Sequence, residues 1–194
     1  MDGSEKLERD LVVLEAMAGE MDEYLRSDVL FWPLRGRDLP RLTLGGYLMR
    51  QHRLLELRDL LNMTEQERLH AAISRYLDAL EEKVVRFEDK AHAELEARVR
   101  QWREYLRDVK SGTGVAYYPT AVETRAMIRA LISQLRVDPY RLNDEIPPQV
   151  ALLDRELSRY WEPGEFVWPF DWRPAYPQAE YWWLYGHPHE RNGH

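Results

Sequence analysis

The sequence predicts an all-α protein: an antiparallel helical bundle around one long central helix, with an irregular Trp/Pro-rich C-terminal strap. Three observations predict it. Apolar residues recur at helical spacing through most of residues 1–161. One such run continues without a visible break from Glu65 to Lys110. After Trp161 the composition turns abruptly to aromatics and prolines.

The chain of 194 residues suits one domain of ordinary size, or a core with an appendage. Its residues are 44% hydrophobic and 31% charged, with the apolar positions spaced rather than bunched, which fits amphipathic helices with solvated outer faces. No run approaches the roughly 18 apolar residues of a membrane span. The acidic segment Met1 to Asp10 lacks the basic and apolar regions of a signal peptide, so the expected location is cytoplasmic. Zero cysteines exclude disulfides, thiolate metal sites and cysteine nucleophiles. Few Asn with many Glu and Arg fit a thermophilic source.

The first helix is expected from about Glu5 to Arg26, capped by Ser4, with Leu7, Leu11, Leu14, Ala18, Met21 and Leu25 on one face. Ser27 to Pro40 reads as an ordered loop, because Val29, Leu30, Phe31 and Trp32 are too apolar to be left in water. A second helix, about Leu44 to Asn62, starts from Thr43, and Gly45-Gly46 lets another backbone approach its first turn. The long helix then opens on a Thr64/Glu67 capping box. Its apolar positions, from Leu69 through Ile73, Tyr76, Leu80, Val84 and Phe87 to Val109, average about 3.6 residues per step.

At 1.5 Å per residue, residues 65–110 would reach about 69 Å, whereas a compact chain of this length is roughly 40 to 45 Å across. The overhang predicts either an elongated molecule or a second copy that covers it. Ser111 to Gly114 ends the long helix, and Pro119 followed by a Thr120/Glu123 capping box starts a fourth, to about Leu135. Pro147-Pro148 opens a fifth, whose stripe is Val150, Leu153, Leu157 and Trp161.

Residues 1–161 are thus the expected helical bundle, 162–188 the strap, and 189–194 a frayed tail, with fraying already from His187. Five prolines and nine large aromatics stand between Glu162 and Pro188. Disordered segments are poor in such rings, so the strap should lie over helical faces. If it is extended, Phe166, Trp168, Phe170 and Trp172 point one way. Leu30 to Leu34 and Phe166 to Phe170 echo each other and are candidates to pack together.

The chemistry legible in the chain is sparse. Glu67-x-x-His70 and Asp89-x-x-His92 have metal-ligand spacing, but on one helix they would stand about 33 Å apart, which argues against a shared metal. Lys110 to Gly114 has neither the order nor the preceding strand of a phosphate-binding loop. No catalytic triad, metal site or cofactor motif stands out, so an enzyme is not favoured.

Two groups remain. The aromatic strap offers Trp168, Trp172, Trp182, Trp183 and Tyr185 as candidate interaction or pocket residues, since Trp and Tyr combine an apolar body with one polar handle. The basic segment Arg35 to Arg58 offers Arg35, Arg37, Arg50 and Arg53 as candidate anion ligands. The bland alternative is that these arginines pair with the first 34 residues, which hold nine acids against three bases. A net charge of −7 argues against nucleic acid as the default partner. The expected role is therefore non-enzymatic: a structural or protein-interaction helical protein, self-associating as a homodimer or larger assembly. The alternatives are a small-ligand domain with a pocket between bundle and strap, and an anion or nucleic-acid binder using Arg35 to Arg58.

Overall fold

In the computed structural model, which describes residues 3–189, the chain is mostly helical. α1 (Gly3–Arg26) buries the predicted stripe and adds Met17 and Tyr24 to it. The backbone just beyond α1 is held by Lys90, whose Nζ donates to the carbonyls of Ser27 (2.9 Å) and Val29 (2.8 Å). The following loop is ordered by a backbone bridge between Trp32 and Leu42. α2 (Leu44–Glu56) starts where expected, with the Thr43 hydroxyl accepting from Gly46 N–H at 3.0 Å.

From there the chain departs from expectation. α2 stops at Glu56 and a 3-10 turn, Arg58–Leu60, follows. The capping box of α3 (Met63–Leu80) is Asn62/Glu65, not Thr64/Glu67: Asn62 Oδ1 accepts from Glu65 N–H, and Glu65 accepts from Asn62 N–H. Asn is as good an N-cap as Thr or better, and it occurs first.

The continuous helix over 65–110 does not exist. It is broken at Glu81, Glu82 and Lys83, with Glu82 at φ 58, and resumes as α4 (Val84–Ser111). Three intervening residues take up almost one 3.6-residue period, so the apolar spacing runs through the break as if the helix continued. Lys83 Nζ pairs with Asp22 of α1 at 2.7 Å, and Arg86 donates to the Arg26 carbonyl at 3.2 Å, which fixes the break against the end of α1. The two pieces then have different main partners: α3 packs chiefly on α1, and α4 chiefly on α5 and α6, while also touching α2 and α1.

α4 ends at Gly112, which takes the left-handed conformation at φ 85. A 3-10 turn, Val115–Tyr117, leads into α5 (Tyr118–Leu135), which begins early enough to place Pro119 in its first turn. Thr120 and Glu123 therefore lie inside the helix and form no capping box. α6 (Ile146–Ser158) carries Pro147-Pro148 in its first turn as predicted and buries Val150, Leu153 and Leu157.

The strap is more regular than expected. β1 (Trp161–Phe166) pairs antiparallel with β2 (Tyr185–Pro188), in the register Trp161 to Pro188, Glu162 to His187 and Pro163 to Gly186. The boundary at 161/162 thus falls inside β1, and His187 and Pro188, expected to fray, belong to β2. Gly186 sits at φ 150, and a Cβ there would stand 2.2 Å from the Glu162 carbonyl, so this pairing needs glycine. His189 still donates its N–H to the Tyr160 carbonyl at 2.7 Å; the rest of the tail, residues 190–194, lies outside the described residues. Between the strands, residues Phe170–Ala175 and Trp182–Leu184 are 3-10 turns. Phe166, Trp168, Phe170 and Trp172 therefore do not share one face: Trp172 is buried whereas Phe170 is 73% exposed.

Candidate functional site

α2 and α5 pack directly on each other, and Gly45 lies in that contact. A Cβ at Gly45 would lie 3.1 Å from side-chain carbons of both Leu131 and Met127, and 2.7 Å from Glu94 Oε1. Glu94, wholly buried, accepts from Gly45 N–H at 2.9 Å and pairs with Arg98 at 3.2 Å, which ties α2 to α4 as well. Elsewhere along the same contact α5 presents small side chains, Ala126, Ala130 and Ser133. Their spacing of four and three residues puts them on one face.

The space these side chains leave is a groove of about 290 Å³, at the lower edge of the usual range for small-molecule sites. α2 supplies Leu48, Met49, Gln51, His52 and Leu55, the C-terminal part of α5 adds Gln134 with Val137 just beyond it, and Tyr176 and Tyr181 of the strap complete the lining. Among the described residues no Lys, Arg, Asp or Glu lines it.

Gln51, His52, Ser133, Gln134 and the two tyrosines give the groove its polar groups. His52 Nε2 lies 2.8 Å from the Ala175 carbonyl. A carbonyl only accepts, so Nε2 carries a proton. The Tyr181 hydroxyl oxygen is 3.4 Å from the same Nε2, and the two rings stack with centroids 5.9 Å apart. Gln51 holds its Oε1 buried without a partner. Burial raises the Tyr181 phenol above its usual range, with Arg129 pulling the other way. Burial also pushes Tyr176 up to about 12 against the opposing pull of Arg53.

Behind the groove, three arginines fasten the strap, each held by a carboxylate and covering a strap ring. Arg53, 2% exposed, donates through Nη1 to Asp10 and through Nε to the Tyr176 hydroxyl at 2.9 Å, with its guanidinium 3.9 Å from the Trp172 ring centre. Burial works against its charge, but Tyr176 and Asp10 hold its pKa above the ordinary value. Arg50 reaches the other Asp10 oxygen at 3.2 Å. Arg125 binds Asp154 through two bonds of 2.8 and 2.7 Å and lies 3.9 Å over Trp183. Arg129 pairs with Glu180 at 2.5 Å and stands 5.6 Å from the Tyr181 ring centre.

None of the five strap residues read from the sequence lines this groove. Trp168 donates to the Pro119 carbonyl and Trp172 to that of Gly3, each at 3.2 Å. The same two rings border a separate open hollow with Lys6, Glu123 and Phe170. Trp182 meets Trp161 edge-on, Trp183 is buried beneath Arg125, and Tyr185 donates to the Tyr176 carbonyl at 2.6 Å. Arg35 pairs with Glu23 at the surface and Arg37 is exposed, whereas Arg50 and Arg53 point inward at Asp10, so the four do not form one anion-binding face. In the segment Leu30 to Leu34, which echoes the strap in sequence, Trp32 donates its indole N–H to Glu20 at 2.8 Å.

His92 is tied into the fold: its Nδ1 lies 2.9 Å from the Glu88 carbonyl and its Nε2 accepts from Asn143 N–H at 3.1 Å. The residues that sequence reasoning missed are His52, Gln51 and Tyr181. The signal that could have located them is the Ala126, Ala130, Ser133 spacing on α5, opposite a helix carrying one histidine.

Comparison with protein-family models, with curated proteins and with solved structures finds no match for this chain. Among the described residues, no helix is long and apolar enough to cross a membrane. Fold and groove together define a helical domain whose aromatic strap closes an uncharged cleft.

Proposed function

We propose that this protein is a non-enzymatic binding domain that holds a small molecule in the groove between α2, α5 and the strap. One observation carries the reading: a cleft of about 290 Å³ with no charged side chain in its lining lies between two packed helices and the strap. Rigid walls add to this. Two packed helices and an arginine-clamped strap lose little freedom on binding.

Self-association and a scaffold role rested on the overhang of one long rod. The longest helix, α4, has 28 residues and spans about 42 Å, comparable to the width of a compact chain of this size. Association therefore loses the feature that motivated it. Anion binding through Arg35 to Arg58 is likewise weakened, because Arg50 and Arg53 are already paired with Asp10 inside the fold.

The test is a ligand-detected NMR screen of small fragments, charged and neutral, against the full chain and against Ala130→Trp, whose indole fills the groove. At least one fragment should bind the wild type and be lost in Ala130→Trp. A screen in which every hit binds both proteins equally removes the groove as the functional site.

A further inference from the structure

We infer that His92 is an acid-sensitive latch, separate from the groove: with one ring proton it holds the connector between α5 and α6 against α4, and with a second it releases it. The partners of the ring fix where its one proton sits. The Asn143 backbone N–H donates to Nε2 at 3.1 Å, so Nε2 presents a lone pair. Nδ1 stands 2.9 Å from the Glu88 carbonyl, which only accepts, so the proton is on Nδ1. A second proton would have to sit on Nε2, where it would point at the Asn143 hydrogen. The bond would then become a contact between two donors.

The connector, residues 136–145, is tied to α4 by few polar bonds. Two of its backbone N–H groups reach side chains one turn apart on that helix: Arg141 donates to Glu88 Oε2 at 2.8 Å, and Asn143 to His92. Apolar contacts hold the segment at either end, through Tyr140 on Phe87 with ring centres 4.5 Å apart and through buried Ile146. Between those anchors Arg141, Asn143, Asp144 and Glu145 are exposed and Leu142 is half-buried. Asn143 also organises the start of α6. Its Oδ1 accepts from Glu145 N–H at 3.0 Å and its carbonyl from Ile146 N–H at 3.1 Å, so freeing Asn143 loosens the first turn of α6.

The charge around the ring opposes the latch. On α4, Glu88, Asp89 and Glu96 lie within about one turn of His92. The connector contributes Asp138, Asp144 and Glu145 against Arg136 and Arg141. These acids draw a proton towards the ring, whereas the Asn143 hydrogen keeps it from Nε2. Mild acid tips that balance while the Arg141 tie persists, because a carboxyl group accepts from an N–H in either protonation state.

The experiment follows the ¹⁵N-labelled full chain by NMR from about pH 7.5 to about pH 5, the span in which histidine side chains ordinarily change charge and carboxyl groups do not. Ring ¹⁵N shifts report which His92 nitrogens carry hydrogen, and amide exchange, taken relative to the intrinsic rate at each pH, reports the ties at Arg141 and Asn143. Towards acid the ring should pass from a proton on Nδ1 alone to protons on both nitrogens. Protection of the Asn143 amide should fall by about tenfold, the loss of one hydrogen bond, while that of Arg141 changes less than about twofold. His92→Gln supplies an acceptor that does not titrate, and should make Asn143 protection independent of pH.

A ring that becomes doubly protonated with Asn143 protection unchanged overturns the latch. So does a ring that keeps a single proton to the acid end, or one whose proton sits on Nε2 at the start. An equal loss of Asn143 protection in His92→Gln would assign the response to another group and also overturn it. Should His92→Gln fold poorly, the wild-type titration decides by itself.

Discussion

Removing the Asp10 carboxylate should be the most damaging single change to the way the strap is attached. Asp10 is the shared counter-ion of Arg50 and Arg53, and Arg53 has 3% of its side chain exposed. Asp10→Ala would leave Arg53 charged and enclosed, with only the Tyr176 hydroxyl and the faces of Trp172 and Trp168 around it. Its Nη2 already lacks a partner, so nothing nearby stands ready to replace the lost oxygen. Breaking a buried pair on one side costs about 3 to 5 kcal/mol, a third or more of a typical net stability near 10 kcal/mol. For a chain of this length that is a fall in Tm of about 6 to 20 °C. Asp10→Leu combined with Arg50→Met and Arg53→Met removes all three charges and keeps the volume, and should cost far less, about 0 to 2 kcal/mol. Urea denaturation followed by tryptophan fluorescence and far-UV circular dichroism measures each variant, and a double-mutant cycle gives the coupling. A cost below about 1 kcal/mol for Asp10→Ala, with coupling within about 0.5 kcal/mol, would refute the clamp.

Gly45→Ala should destabilise by about 1 to 3 kcal/mol, because the new Cβ would meet Glu94 Oε1 at 2.7 Å while Leu131 and Met127 block the alternatives; an unchanged midpoint in urea would contradict the packing of α2 on α5. Glu82→Gly should be neutral or stabilising by up to about 1 kcal/mol, since a left-handed L-residue costs about 1 to 2 kcal/mol and glycine returns part of that as chain entropy. A loss of stability measured calorimetrically would argue that residues 65–110 prefer one helix after all. Stability should also fall in alkali. Tyr176 is pushed up from 10.0 to about 12, so its contribution is complete below pH 10 and is lost as pH rises towards 12, because the unfolded chain releases the proton first. That amounts to about 3 kcal/mol at 1.36 kcal/mol per pH unit, and Tyr176→Phe should flatten the decline when urea midpoints are compared between pH 9 and 12.

Helical content and the capped start of α2 were legible because each depends on neighbours within a turn or two. Leu7, Leu11 and Leu14 mark a face by spacing alone, and Thr43 caps from the position before its helix. The break at Glu81 to Lys83 was not legible, since it carries no glycine or proline and preserves the apolar phase; what holds it is Asp22, far away in sequence. Burial of the strap was legible from its ring content, but its pairing was not, because Gly186 opposite Pro163 is a contact across 23 positions. The candidate site was least legible. His52 sits among Arg50, Arg53 and Glu56 in sequence, company that by itself points to solvent. In the fold Arg50 and Arg53 turn to Asp10 on one side, whereas His52 meets the strap at Ala175.

The same division explains why the conspicuous aromatic residues are not the ones that form the groove. A tryptophan that stacks on a guanidinium and donates its indole N–H to a carbonyl has used both its apolar face and its polar handle, as Trp172 has with Arg53 and Gly3. Such rings give the strap rigidity rather than recognition. Capacity for a ligand remains in the groove, where His52 is committed to the strap through Nε2 alone. Because the arginine clamps fix Tyr176 and Tyr181 against α2 and α5, the groove walls are held in place before a ligand arrives. Affinity at this site should therefore depend on the integrity of the Asp10, Asp154 and Glu180 clamps as much as on the groove residues themselves.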